Sequence, residues 1–306
     1  MKYEGWICRA PMERASFMLP VAVGCSYNAC KFCTLFKHMK YRELPLNQIE
    51  EELLRVKEAG GNPKRVFLGD GNAFGLETEK LLKILDMIHH YFPGCEGINM
   101  DATVTNIQEK SDEELRALKK AGVDELYLGI ETGLDDVLKF MIKDHDLAQV
   151  YEAIERLHVA GLSYNSHMMT GIAGKGRGVE NARALAAFYN KTKPKKIVNF
   201  SLFLHCEAPL YNDIEAGRFM PADELENLME ERELLKCLEL EDIKYDGFHD
   251  FSGVRVRGTL PKDKEKMLLN LDKAIERMKE KKPVYAYVDG CCCELDIYEM
   301  TDPDFR

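Results

Sequence analysis

The feature that most constrains this chain is a repeated switch between short β-rich apolar runs and helical patterns. Candidate strands lie at 17–23, 65–69, 97–101, 125–130, 163–169 and 197–204. Their starts are roughly thirty to fifty residues apart, the length of a strand–helix–strand unit. The intervening helices are clearly marked. Residues 47–59 place Ile49, Leu53 and Val56 on one face and stop at Gly60. Ser111 and Glu114 have capping-box spacing, and their helix stops at Gly122. Residues 147–160 carry Val150, Ile154 and Leu157 and stop at Gly161. All three end in an Ala-Gly step that feeds a new apolar run, which reads as a helix C-cap leading into a strand. Six such repeats predict parallel strands with helices outside them. Pro20 inside the first run places that strand at a sheet edge.

Periodicity alone fits both a doubly wound sheet and an open barrel. The location of the chemistry favours the barrel, because the informative motifs follow the strands and a barrel gathers its site at the C-terminal strand ends. The expected fold is therefore α/β, a partial (β/α)6 TIM-type barrel with a short C-terminal extension. Two more helical stretches, 222–239 and 262–281, precede a tail that starts strand-like at Pro283 and ends acidic. The simplest division is a barrel domain over 1–250 and an extension over 251–306.

The chain holds 306 residues and a formal net charge of −10, which argues against a nucleic-acid backbone as main partner. It has no apolar run long enough to span a membrane and no secretory leader pattern at its start, so a cytoplasmic protein is expected. Ten cysteines are then unusual, because thiols in a reducing compartment serve as metal ligands, catalysts or buried side chains more often than as disulfides. Together with fourteen methionines they would be an oxidation liability in air, which suggests an anaerobic host.

The strongest local signal is Gly24-Cys25-Ser26-Tyr27-Asn28-Ala29-Cys30-Lys31-Phe32-Cys33. Three cysteines in nine residues after the first strand can converge on one metal centre. Structural zinc normally takes four ligands, and the nearest histidine, His38, is not at a customary offset. Buried thiols are the other plain reading. Three thiolates suit a [4Fe–4S] cluster in which one iron lacks a protein ligand.

This loop resembles the signature of the radical S-adenosylmethionine (SAM) superfamily, where three cysteines hold the cluster and the open iron chelates SAM. The most frequent spacing there is Cys-x3-Cys-x2-Cys; this chain has four residues in the first gap. The resemblance extends over roughly residues 9 to 265, through Arg9-Ala10-Pro11-Met12-Glu13, Phe67-Leu68-Gly69-Asp70-Gly71, Leu128-Gly129-Ile130-Glu131-Thr132, Met169-Thr170-Gly171, Ala208-Pro209-Leu210-Tyr211 and Gly258-Thr259-Leu260-Pro261. It is similar to the elongator-subunit and oxygen-independent coproporphyrinogen-oxidase branch. The resemblance implies that Cys25, Cys30 and Cys33 bind the cluster and that Phe32 lies beside adenine. It implies further that Gly69, Asp70 and Gly71 meet SAM's amino group, that Asp101 and Glu131 face its ribose, and that Gly171 offers backbone to adenine. Lys175 and Arg177, in a Gly-rich turn, read as a solvated basic loop, with SAM's carboxylate as the lesser option.

The activity so implied is reductive cleavage of SAM to a 5′-deoxyadenosyl radical that abstracts hydrogen from a small-molecule or modified-cofactor substrate. An external one-electron donor of the flavodoxin or ferredoxin type would supply the electron. The alternatives are transfer of an aminocarboxypropyl or methyl group, modification of RNA or a peptide, and a non-catalytic iron–sulfur or zinc protein. Cys206 follows the sixth strand and is the candidate catalytic thiol. Cys291, Cys292 and Cys293 are a candidate second thiolate site, in a tail expected to fold back towards the barrel mouth.

Overall fold

The protein is described from a computed structural model that covers Glu4 and residues 8–288. Its elements in chain order are β1 (Phe17–Pro20), β2 (Ala22–Val23), β3 (Arg42–Glu43), α1 (Leu46–Glu58), β4 (Arg65–Gly69), α2 (Thr78–Tyr91), β5 (Gly97–Ala102), α3 (Val104–Glu109), α4 (Asp112–Lys120) and β6 (Val123–Glu131). They continue with α5 (Asp135–Phe140), α6 (Leu147–Val159), β7 (Ser163–Thr170), α7 (Gly178–Thr192), β8 (Lys196–Ser201), α8 (Leu210–Glu215), α9 (Glu224–Cys237), β9 (Ile243–His249), β10 (Val254–Leu260) and α10 (Lys264–Lys279).

One sheet runs in the order β1-β4-β5-β6-β7-β8-β9-β10. Every neighbouring pair is parallel except the last, in which β10 runs antiparallel to β9. Helices pack side by side on the outside, α1 on α2, α2 on α4, α3 on α6, α6 on α7, α7 on α9 and α9 on α10. A doubly wound sheet would split them between two faces. This arrangement covers one face, and the other curls inward as a barrel. Along β5 the alternation is plain: Ile98 and Met100 pack in the apolar layer with Leu81, Ile84 and Leu85 of α2, while Asn99 turns inward to Glu13. Fully burying each such Leu or Ile contributes about 1.5–3 kcal/mol.

The six expected strands are present, and two more follow them. β9 is a seventh parallel strand, and β10 closes the series. Residues 254–260 therefore belong to the sheet, although the sequence division assigned them to an extension. β1 stands at the sheet edge and ends at Pro20, where a missing N–H costs no ladder bond. The capping box at Ser111 is formed, and a second one is built from Asp146 and Gln149.

The inner wall carries an aromatic series. Tyr127 lies edge-on to Phe67 (5.9 Å) and to His167 (5.5 Å), and Phe200 stacks on Phe248 at 5.0 Å. The lead-in segment plugs into this wall: Ala10 packs with Phe67 and Tyr127, and buried Glu13 accepts hydrogen bonds from Ser16, Asn99 and Tyr127.

Helix α9 is held by charge as much as by apolar packing. Its Glu224, Asn227, Glu230 and Glu231 are all buried. His249 at the end of β9 donates to Glu231 (2.9 Å) and Ser201 (3.0 Å), with Glu224 at 3.7 Å. Although burial opposes its charge, these carboxylates push His249 up to about 10. The segment after α10 returns to the end of β8, where Tyr287 bridges Leu204 in parallel and the Val288 N–H donates to the Leu204 carbonyl. That return matches the expected direction of the tail; Cys291, Cys292 and Cys293 lie outside the described residues.

Candidate active site

The cysteine loop is fixed at many points by groups beyond it. Lys31 N–H donates to the Met141 carbonyl, and the Lys31 carbonyl receives Leu210 N–H. Lys31 Nζ pairs with Asp213 at 2.8 Å and lies 4.1 Å from the Phe140 ring centre. Tyr27 donates to the Ile142 carbonyl, and Ser26 donates to Asn72, which donates in turn to Asn106. The loop is therefore clamped between the ends of β4, α5 and α8.

Cys25, Cys30 and Cys33 are free, partly exposed thiols. Burial pushes Cys30 up to about 11 and raises Cys33 as well, with nearby Lys143 opposing the rise at Cys30. Thiols so placed stay protonated at neutral pH and are poor nucleophiles. A metal centre would deprotonate them. Among the described residues no three His, Cys, Asp or Glu side chains are gathered as they would be round one metal ion. Thiolates on a cubane stand further apart, each on its own iron. The backbone around them also fits a cofactor loop. Gly71 lies against the loop so closely that a Cβ there would stand 2.3 Å from the Gly24 oxygen and 2.7 Å from Cys25 Cα.

Asp70 ties three segments together. It follows a cis peptide from Gly69, and its carboxylate accepts backbone N–H groups of Gly71, Gly24 and Cys8. Its Oδ1 is buried with no hydrogen-bond partner. Burial outweighs those three donors and raises Asp70 to about 6. Asp101, at the end of β5, rises to about 8 through burial and then the Asp70 and Glu13 charges. Two carboxylates left short of positive partners at the barrel mouth are well suited to receive a cationic or multiply donating ligand.

Glu131 ends β6 at a register irregularity with φ +64, a left-handed conformation rare for a residue with a side chain. Its Oε1 meets Lys143 Nζ at 3.3 Å, and its Oε2 is buried without a partner. Burial raises Glu131, while the facing Lys143 pulls it down. Lys143 also lies 3.9 Å from Asp144 and 5.9 Å from the Phe32 ring centre. These anions hold its ammonium charged despite burial.

Cys25, Cys30, Cys33, Phe32, Gly69, Asp70, Gly71, Asp101 and Glu131 thus share one end of the barrel. At Gly171 the N–H donates to Glu230 Oε2 at 2.8 Å and the carbonyl receives Gly174 N–H, which leaves the carbonyl's second lone pair. Cys206 is disulfide-bonded. In that state Cys206, the candidate catalytic thiol, carries no S–H hydrogen. Lys175 is exposed, and Arg177 pairs with Asp136 and Glu180 at the surface, as a solvated turn should.

Sequence reasoning missed Lys143 and Cys8. A lysine between Ile142 and Asp144 gave no motif, and only the fold sets it opposite Glu131. Cys8 precedes the first strand by nine residues, and its neighbourhood to Asp70 is a long-range fact.

The family model for the radical SAM superfamily matches residues 19–184. The heme chaperone HemW of Bacillus subtilis is 28% identical over 216 residues, which cover 68% of this chain and 55% of that protein. The threonylcarbamoyladenosine tRNA methylthiotransferase MtaB of Thermotoga maritima is 25% identical over 153 residues, covering 47% and 34%. The chain spans little more than half the length of the first of these curated relatives and less of the other. Among solved structures, coproporphyrinogen III oxidase (HemN) of Escherichia coli superposes with a TM-score of 0.54 at 15% identity, over 72% of this chain and 50% of that one. The Elp3 protein of Methanocaldococcus infernus also gives 0.54, at 17% identity over 87% and 64%. These likenesses support the barrel fold. With more than half its length matched by the family model, the chain belongs to the radical SAM superfamily, whose cofactors are a [4Fe–4S] cluster and SAM.

Proposed function

We propose that the protein cleaves SAM reductively and uses the product radical to take a hydrogen atom from a small-molecule or modified-cofactor substrate. The observation that carries this reading is the meeting of three free thiols with the unpartnered Asp70 Oδ1 and Glu131 Oε2 at one end of the barrel. When bound, the reduced cluster supplies one electron to SAM's sulfonium, releasing methionine and a 5′-deoxyadenosyl radical.

The chain's own residues bind, orient and exclude water. Cys25, Cys30 and Cys33 hold the cluster. Asp70 Oδ1 accepts from the ammonium of SAM's methionine part, with Asp101 beside it as a second acceptor and Gly69 and Gly71 supplying close backbone. Glu131 Oε2 accepts a ribose hydroxyl, and Lys143 faces the carboxylate. Phe32 packs against adenine, and Gly171 offers it the free lone pair of a carbonyl. The buried aromatic wall keeps water from a reactive intermediate. The electron comes from a flavodoxin- or ferredoxin-like donor in a cytoplasmic setting. No described helix is long and apolar enough to cross a membrane.

Incubating anaerobically reconstituted, dithionite-reduced protein with SAM tests the reading. It requires 5′-deoxyadenosine and methionine in equal amounts. Methylthioadenosine as the sole nucleoside would replace it with aminocarboxypropyl transfer, and absence of any product would overturn it.

A further inference from the structure

We propose that the barrel interior beside His167 is the substrate subsite, and that it takes an uncharged planar ring bearing a hydroxyl that hydrogen-bonds His167 Nε2. This names a substrate class for the reaction proposed above and rests on that reading.

His167 lies in β7 between Ser166, whose hydroxyl meets Tyr189 of α7, and Met168, which packs in the apolar layer under the helices. Alternation along the strand therefore turns His167 inward. Its cross-strand partner is Gly129 of β6. A Cβ on Gly129 would stand 2.2 Å from Glu131 Oε1 and 3.1 Å from Lys143 Nζ, so the missing side chain makes room for that ion pair. His167 is thus the inner-wall neighbour of the residue assigned to SAM's ribose, whose 5′ carbon becomes the radical. The imidazole is framed by the rings of Tyr127 at 5.5 Å and Phe200 at 6.2 Å, both edge-on. Its Nε2 is buried and has no hydrogen-bond partner. A polar atom left unmet at such depth is costly, and a ligand that meets it removes that cost.

The surroundings set the chemistry of the ligand. Phe200 and Phe248 stack at 5.0 Å with their planes 15° apart, and both are only half-buried, as is Met169. The wall therefore offers ring surface to a flat ligand. The cations along it already have counter-ions: Lys143 pairs with Glu131, Lys196 over the Tyr127 ring with Glu125, and Arg255 over the Phe248 ring with Asp246. An ionised substrate group would enter here without a partner. Burial, with the Lys143 charge beside it, pushes His167 down to about 4, so its ring is neutral at pH 7. Neutral imidazole carries one N–H and one bare nitrogen. A hydroxyl both donates and accepts, and so serves Nε2 in either tautomer.

The test uses phenol as probe, toluene as the same shape without the hydroxyl, and benzoate as the anionic counterpart. Each is titrated by saturation-transfer NMR into full-length, anaerobically reconstituted, unreduced protein with SAM present. Wild type should bind phenol about tenfold more tightly than toluene and leave benzoate unbound. His167→Phe should erase the preference for phenol, and His167→Gln, which keeps a donor and an acceptor, should recover part of it. With 15N-histidine labelling, phenol and not toluene should move the ring-nitrogen signals that the variants lack. Should both His167 variants misfold, Phe200→Leu takes their place and should weaken phenol and toluene alike. Equal affinity for phenol and toluene, benzoate bound as well as phenol, a phenol preference that survives in His167→Phe, or wild-type affinities in Phe200→Leu would overturn the inference. SAM cleavage is assayed on the same wild-type preparation after reduction. Failure there would overturn the reaction reading, whereas failure of the binding pattern alone leaves that reading standing.

Discussion

Replacing Gly71 by Ala should dismantle the cofactor loop, and the size of the effect follows from two separable costs. Gly71 adopts φ +45, so any side chain there meets the left-handed penalty of about 1–2 kcal/mol. Its Cβ would also stand 2.3 Å from the Gly24 oxygen, 2.7 Å from Cys25 Cα and 2.9 Å from Cys25 Cβ. Two of those three are backbone atoms that cannot rotate away. Relief must come from moving the loop, at the typical overpacking cost of about 1–3 kcal/mol. The sum is about 2–5 kcal/mol, paired with displacement of the first cluster cysteine. Gly60 is the matched control: its φ is +79, yet a Cβ there has nothing within 4 Å. Gly60→Ala should lose stability through the backbone term alone and keep its iron. Urea unfolding and iron analysis after reconstitution read both quantities. Gly71→Ala with wild-type iron content and SAM cleavage would refute the close packing of β4's turn on the cysteine loop.

Lys143→Met strands Glu131 as a buried carboxylate, while Asp144 keeps His145 and Thr105, and should cost about 3–5 kcal/mol in urea unfolding; the added change Glu131→Gln should restore part of it, and no loss would contradict the buried pairing. The His249 network makes stability fall with rising pH. Its imidazolium is favoured in the folded state, so the contribution is complete below the ordinary value of 6.5 and lost as pH climbs towards about 10. His249→Leu should lower stability by about 3–5 kcal/mol near pH 6.5 and flatten the dependence between pH 7 and 9, and an unchanged slope would reject the assignment. Asp70→Asn removes the acceptor proposed for SAM's ammonium and should weaken SAM binding at least about tenfold with iron content retained; equal SAM affinity by equilibrium dialysis would remove Asp70 from the site.

Local signals carried the strand–helix repeat because each unit announces itself. Ile49, Leu53 and Val56 recur at helical spacing, as do Val150, Ile154 and Leu157, and the Ala-Gly steps at 59–60, 121–122 and 160–161 are helix ends in the structure. The three cysteines were legible for the same reason: they lie within nine residues. Two kinds of feature stayed hidden. β9 and β10 alternate polar and apolar residues around glycines, as in Tyr245-Asp246-Gly247-Phe248, and the charges that β9 buries against α9 mimic a solvated surface. Helix α9 carries Glu224, Glu230 and Glu231 inward, the reverse of ordinary amphipathic patterning, so its role as a buried polar spine needed coordinates. Cys8, Lys143 and the engagement of Gly171 by Glu230 depend on contacts between residues far apart in sequence. No periodicity encodes those pairings.

The most direct measurement is electron paramagnetic resonance of the reduced protein before and after SAM addition, for wild type and for the variant with Cys25, Cys30 and Cys33 all changed to Ala. The account requires a [4Fe–4S]+ signal in wild type that changes when SAM occupies the open iron, and no such signal in the triple variant. A full-intensity cluster signal in the triple variant, or a wild-type signal indifferent to SAM, would contradict it.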